Sequence, residues 1–259
     1  MKSPINYFGG KSRLSKIITK HIPPDHLCYC EPFCGAAWIL FAKEPVASEI
    51  INDMDGELIT FWRVIQNHIT AFLDYFKFAV ISRAIFEIES QKDPTTLTDI
   101  QRAVRYYYLQ RLAFGGKTAN RTYGTGTTKI SGLKLSSLEE SLVEVHWRLK
   151  KVNIERLDAL DCIRRYDRPH TFFFIDPPYM NNTKDYAVHF DRFVELRDTL
   201  KAIKGRFILT LSDSPQAREM FADFYAKGVT LVYSCANART TKRGKTAKEV
   251  LFSNYRLEK

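Results

Sequence analysis

Along this chain, short apolar runs alternate with stretches in which apolar residues recur every three or four positions. Residues 27–31, 47–51, 171–175, 207–211, 229–234 and 250–252 are apolar, end in turn or acidic residues, and predict strands. Residues 36–42, 190–204 and 215–226 predict helices; in the second of these Phe193, Leu196, Leu200 and Ile203 share one face. Strands alternating with helices imply an α/β domain on a largely parallel sheet. From about residue 57 to 151 the pattern is helical without strand signals, with Phe61, Trp62, Ile65, Ile69 and Phe72 in one stretch and Val104, Tyr107, Tyr108 and Leu112 in another. Between two of these helices, residues 115–132 read GGKTANRTYGTGTTKISG. That is too rich in Gly and Thr for a helix, and it predicts an exposed basic loop carrying Lys117, Arg121 and Lys129. The expected organisation is a domain formed by residues 1–56 and 151–259, interrupted by a helical insertion at 57–150.

The run TFFFI is followed directly by Asp176-Pro177-Pro178-Tyr179. A strand buried on both faces delivers its last residue to the carboxyl edge of a parallel sheet, where open α/β folds place their sites. Two prolines stiffen the turn and remove two N–H donors. The surface left there offers acceptors, the Asp176 carboxylate and nearby backbone carbonyls, beside the aromatic face of Tyr179. Such a surface receives a planar group bearing an NH2.

Other motifs stand in a fixed order around it. Tyr7-Phe8-Gly9-Gly10-Lys11-Ser12 opens the chain, the first predicted strand runs into Glu31-Pro32-Phe33-Cys34-Gly35-Ala36-Ala37, and the second ends in Ile51-Asn52-Asp53. A glycine-bearing turn after the first strand and an acid after the second form an arrangement that holds an adenosyl group, the acid taking the ribose hydroxyls. Gly10-Lys11-Ser12 has the ending of a nucleotide-binding P-loop, but that loop needs a glycine five residues earlier, where Ile5 stands.

Taken together, these segments resemble the Dam-type (D12 class) DNA adenine N6-methyltransferases over nearly the whole chain. The resemblance implies a Rossmann-like sheet dependent on S-adenosylmethionine (SAM), a helical target-recognition insertion, and a bacterial or phage setting. It assigns the cofactor to Tyr7, Gly9, Lys11, Glu31, Phe33, Cys34, Gly35, Asp53, Asp158, Ala159 and Asp176, and catalysis to Asp176, Pro177, Pro178 and Tyr179. Ala37 stands where the family's fuller motif has a second glycine. Phe114 is placed to wedge into a base stack, while Gly115 after it offers no side chain for base readout. The same amino-group geometry also serves cytosine N4, and a basic DNA-binding protein on a degenerate fold of this kind is the non-enzymatic alternative.

Charge fits a nucleic-acid partner. The 259 residues carry 39 Lys+Arg against 29 Asp+Glu, a formal net charge of +10. Residues 237–248, NARTTKRGKTAK, contain Arg239, Lys242, Arg243 and Lys245 without an acid and lie between two predicted strands, so a phosphate-gripping hairpin loop is expected there. The partner expected is double-stranded DNA, bound by a monomer or weak dimer. With 45% hydrophobic residues the chain is neither disordered nor a disulfide-stapled mini-protein. Its start lacks the apolar core of a signal peptide and no run is long enough to span a bilayer, so a cytoplasmic protein is expected. Cys28 and Cys30 alternate as on one face of a strand and lack a second knuckle of ligands; buried cysteine, with no metal, is the expectation.

Overall fold

The computed structural model describes residues 1–7, 9–124, 132–179, 187–233 and 245–257. Among these, one sheet is built from β1 (Cys28–Glu31), β2 (Ser48–Asn52), β3 (Val152–Glu155), β4 (Thr171–Ile175), β5 (Arg206–Ser212), β6 (Tyr225–Tyr233) and β7 (Lys245–Ser253), in the order β3-β2-β1-β4-β5-β7-β6. β1 to β5 are parallel, and β7 runs against both β5 and β6. β1 and β4 lie side by side, yet the chain leaves β1 towards β2 on one side and β4 towards β5 on the other. The crevice that opens between diverging connections is where such sheets bind ligands.

The period of two along the strands divides the core. Tyr29, Ile51, Phe172, Phe174, Ile208 and Leu251 point to one face, while Cys30, Ile50, Phe173, Ile175, Leu209 and Phe252 point to the other. The first face is covered by α1 (Ser15–His21), α2 (Trp38–Ala42), α3 (Gly56–Asn67), α4 (Ile69–Asp74), α5 (Arg83–Gln91), α6 (Asp99–Leu112) and α7 (Leu138–Leu149). The second is covered by α8 (Ala159–Tyr166), α9 (Phe193–Ala202) and α10 (Pro215–Met220). Cys28 and Cys30 sit in the second core with Cys162, whose sulfur is 3.7 Å from that of Cys30. Among the described residues no helix is long and apolar enough to cross a membrane, and no group of His, Cys, Asp and Glu could hold a metal ion.

The helices of residues 57–150, expected as an insertion, share their core with the sheet. Phe61 and Trp62 of α3, Tyr106 of α6 and Leu142 of α7 belong to the same buried cluster as Tyr29 and Phe172. Phe61 stacks on Tyr107 at 5.6 Å, and Arg148 on α7 forks onto Glu49 of β2, where Lys43 also pairs. α6 begins with a capping box in which Thr98 and Gln101 satisfy each other's backbone, the start signal that fixes this helix.

Three local differences from the predicted elements have physical reasons. β3 is an edge strand with two polar residues in four, too little apolar signal to stand out. α10 ends at Met220, not 226, and β6 begins at Tyr225, because pairing with β7 draws 225–228 into the ladder. α1 and α8 are short helices, the latter started by the Asp158 cap.

Candidate active site

A cavity of about 260 Å3 opens at the carboxyl ends of β1, β2 and β4. Every residue expected to hold the cofactor lines it. Tyr7, Gly9 and Lys11 come from the N-terminal segment, and Glu31, Phe33, Cys34 and Gly35 from the end of β1 and its turn. Asp53 follows β2, Asp158 and Ala159 start α8, and Asp176 follows β4.

Hydrogen bonds between strand ends shape the turn after β1. Asn52 donates to the carbonyls of Pro32 and Leu157 at 2.9 and 3.1 Å and accepts from the Leu157 amide at 2.7 Å, so one buried amide joins three segments. Asp53 Oδ2 accepts the Gly35 amide at 3.0 Å and Oδ1 the Asp55 amide at 3.0 Å, while Trp62 Nε1 donates to the Gly35 carbonyl at 3.2 Å. Gly35 has φ +44°, and a Cβ there would meet the Tyr7 ring at 3.0 Å, so the turn requires glycine at this position. Two residues on, Ala37 holds φ 50° and ψ 39° ahead of α2. That conformation disfavours an L side chain by roughly 1–2 kcal/mol. Ala37→Gly is therefore expected to raise stability in denaturant titration by up to about 1 kcal/mol, the lost methyl and the freer unfolded chain taking back part of the gain; a lower midpoint would contradict the strain.

Two carboxyls at this turn, buried Glu31 and half-buried Asp53, have no cation among the described residues. Glu31 Oε1 accepts the Tyr29 hydroxyl and the Leu40 amide, each at 2.7 Å, and Asp53 accepts only backbone amides; among the described residues neither forms an ion pair. Burial pushes the Glu31 carboxyl up to about 8, against the pull of those hydrogen bonds, and burial with neighbouring Asp55 pushes Asp53 up to about 6. Both values are raised above those of the unfolded chain, so the stability they contribute is complete below about pH 4 and is lost as pH rises, through about 6 for Asp53 and about 8 for Glu31. Thermal melts of the unliganded protein should fall from about pH 5 to 9, and Glu31→Gln should flatten the part above about pH 6.5; an unchanged slope would exclude Glu31 as its source.

At the other end of the cavity Asp158 caps α8, its Oδ1 accepting the Leu160 amide at 3.0 Å and its Oδ2 accepting Arg192 at 2.8 Å. Phe33 meets Phe190 edge to face at 5.0 Å. Residues 188–192 thus close this end.

The Asp-Pro-Pro-Tyr turn, expected to be catalytic, adjoins a buried ion cluster. Asp176 Oδ1 accepts Thr210 Oγ1 at 2.6 Å and lies 2.9 Å from Lys11 Nζ, whereas no donor among the described residues reaches Oδ2. Lys11, 4% exposed, also donates to the Gly9 carbonyl and the Tyr179 hydroxyl at 3.1 Å each, and Tyr179 donates to Glu249 at 3.2 Å. Burial alone would lower the Lys11 ammonium; Asp176, Tyr179 and Glu249 together hold it well above its ordinary value. Pro178 lines the cavity and Pro177 is buried behind it. Thr210 and Glu249 were missed in the sequence. Each is a polar residue in or beside an apolar strand run, and that exception to the pattern was the available signal.

The expected DNA contacts divide. Phe114 is 63% exposed on a turn closed by the Ala113–Tyr123 bridge, and Lys117 beside it is half-buried. Arg121, expected on phosphate, is turned inward: its Nε donates to Gln110 at 3.1 Å and its guanidinium lies 5.2 Å from the Tyr106 ring centre, because the buried Gln110 needs a donor there. Lys129, Arg239, Lys242 and Arg243 lie outside the described residues. For Lys245 only the backbone is described, at the start of β7, where pairing with Tyr233 makes the expected hairpin.

The family profile described as D12 class N6 adenine-specific DNA methyltransferase matches residues 7–235. The type II methyltransferase M.CviBI of Paramecium bursaria Chlorella virus NC1A is 26% identical over 228 residues, 85% of this chain and 86% of that protein. A DNA adenine methylase of Haemophilus influenzae is 22% identical over 117 residues, 43% of this chain and 41% of that protein. The cavity at the β1–β4 switch point, the Asp-Pro-Pro-Tyr turn beside it and a match across most of the chain agree: the protein belongs to the D12 class of N6 adenine-specific DNA methyltransferases.

Proposed function

We propose that the chain transfers a methyl group from SAM to the N6 amino nitrogen of an adenine flipped out of double-stranded DNA. The observation that carries this reading is the asymmetry of Asp176: Oδ1 is held by Thr210 and Lys11, and Oδ2 remains as an acceptor for an incoming amino group. SAM is the cofactor that suits the cavity. Its adenosyl group matches glycine-lined backbone and the Phe33 and Phe190 rings, its ribose hydroxyls match the Asp53 carboxyl, and its positive charge matches the buried Glu31 carboxyl, which forms no ion pair among the described residues.

When bound, SAM supplies an electrophilic methyl group on sulfur. The adenine amino nitrogen is a poor nucleophile because its lone pair is conjugated with the ring. Asp176 Oδ2 and the Pro177 carbonyl accept its two N–H bonds and direct that lone pair, so most of the rate comes from positioning and electrostatics. Tyr179 stacks on the base, a contact of the kind worth about 1–3 kcal/mol. A base inside a duplex must be turned out to reach this depth, and Phe114 on the insertion is an exposed apolar wedge suited to the gap. Lys117 and the basic hairpin loop grip phosphate, a contact expected to weaken steeply with salt. The setting of such a reaction is the cytoplasm of a bacterial or phage-infected cell.

The test is to incubate the purified protein with SAM and unmethylated plasmid and to sequence the modified bases. N6-methyladenine in a recurring sequence supports the reading; N4-methylcytosine, or no modification, overturns it.

A further inference from the structure

The cluster around Lys11 contains a carboxylate with no assigned part in the reaction. Glu249 lies on β7, opposite Ser212 of β5 and Val229 of β6, and is 2% exposed. Its Oε1 accepts the Tyr179 hydroxyl at 3.2 Å and its Oε2 lies 3.5 Å from Lys11 Nζ. Lys11 therefore stands between two acids, Asp176 on one side and Glu249 on the other, with the Gly9 carbonyl, the Tyr179 hydroxyl and the Tyr179 ring, 4.8 Å from its Nζ to the centre, also against it.

An ammonium shared by two carboxylates is held between them. Left with one in a site that excludes water, it is drawn to bridge both oxygens of that one. Here the bridged oxygen would be Asp176 Oδ2, the acceptor left open by the present arrangement. Resting on the function proposed above, we propose that Glu249 is a positioning residue for methyl transfer, which by holding Lys11 and the Tyr179 hydroxyl keeps Asp176 Oδ2 open to the amino group of the target base. Burial pushes the Glu249 carboxyl up and the Lys11 ammonium works against that rise, so each charge supports the other. Glu249 reaches the site from the antiparallel strand β7, and the cluster thereby joins the N-terminal segment, β4, β5 and β7 at one point.

The test compares Glu249→Gln, which keeps the size and removes the charge, with the wild type on duplex DNA carrying the methylated sequence. The expected result is a kcat lower by roughly 10–100-fold with KM for DNA and Kd for SAM within about threefold, measured at a temperature where the variant is folded. Because Glu249 acts through Lys11, the double variant Lys11→Gln/Glu249→Gln should be within about twofold of Lys11→Gln alone. A kcat for Glu249→Gln within about twofold of wild type, a loss explained by weaker SAM binding, or a double variant slowed by the product of both effects overturns the proposal. Should Glu249→Gln fail to fold, Glu249→Asp, which keeps the charge but withdraws it by one methylene, is read by the same kcat criterion. A wild type that makes no N6-methyladenine defeats the proposed function itself, whereas an active wild type with an unaffected variant defeats only the role of Glu249.

Discussion

Replacing Asp176 with asparagine is expected to leave a folded protein that binds DNA and SAM and loses methyl transfer by roughly 1,000-fold or more, the scale seen when one well-placed polar group at a reacting centre is removed. The substitution changes no volume. Thr210 donates to Oδ1 and the Lys11 ammonium lies 2.9 Å from it, so they fix the orientation of the new amide: its oxygen stays with them and its NH2 takes the place of Oδ2. A donor then faces the donor of the target amino group, and the lone pair is no longer directed. Folding survives because the buried Lys11 keeps Glu249 as a counter-charge, and the phosphate contacts are untouched. Asp176→Ala should be as inactive for a different reason, the lack of any acceptor, with Lys11 still held by Glu249. Single-turnover methylation with labelled SAM, alongside DNA and SAM binding, checks this. An active Asp176→Asn enzyme would mean that the amino group is held elsewhere.

The parts of this site that sequence made legible are those where one residue type answers one physical demand. Gly35 is needed because the turn runs at positive φ against the Tyr7 ring, Asp53 because two backbone amides need an acceptor, and Asp-Pro-Pro-Tyr because a buried strand must end in a stiff, donor-poor turn. The largely parallel sheet was legible from the same signals, since uninterrupted apolar runs such as TFFFI are buried on both faces. What stayed hidden depends on approach in space. Thr210 and Glu249 meet Asp176 and Lys11 across 34 and 238 positions of chain, as 210 is to 176 and 249 to 11, and no local pattern encodes that. Arg121 illustrates the converse: in a stretch of Gly and Thr it reads as a surface cation, yet the side-chain oxygen of buried Gln110 claims its Nε. The boundary at residue 57 marks a change of period, while the core runs through it from α3 into the sheet.

Asp53→Ala is expected to weaken SAM binding by roughly 100-fold, which corresponds to about 2.7 kcal/mol. Each Asp53 oxygen accepts one backbone amide, from Gly35 and from Asp55, and each keeps a second lone pair at the cavity for a ribose hydroxyl. Hydrogen bonds to an ionised group are worth about 1.5–3 kcal/mol apiece, so losing two of them, less what water recovers, accounts for a change of this size. The truncation also leaves the Gly35 and Asp55 amides without their acceptor, and a lower Tm should accompany the weaker binding. pH supplies a second readout with a definite sign. Burial and Asp55 hold the free Asp53 carboxyl up to about 6, and the ribose hydroxyls bind its ionised form, so SAM affinity falls as pH drops below that value, by at most about tenfold per unit. In Asp53→Ala this acid limb disappears, while any dependence contributed by Glu31 at higher pH remains. Calorimetric titration of SAM into both proteins between about pH 5 and 8 separates the two limbs. Equal affinities for wild type and variant at neutral pH, or an acid limb that persists without Asp53, would move the ribose contact to another residue of the cavity.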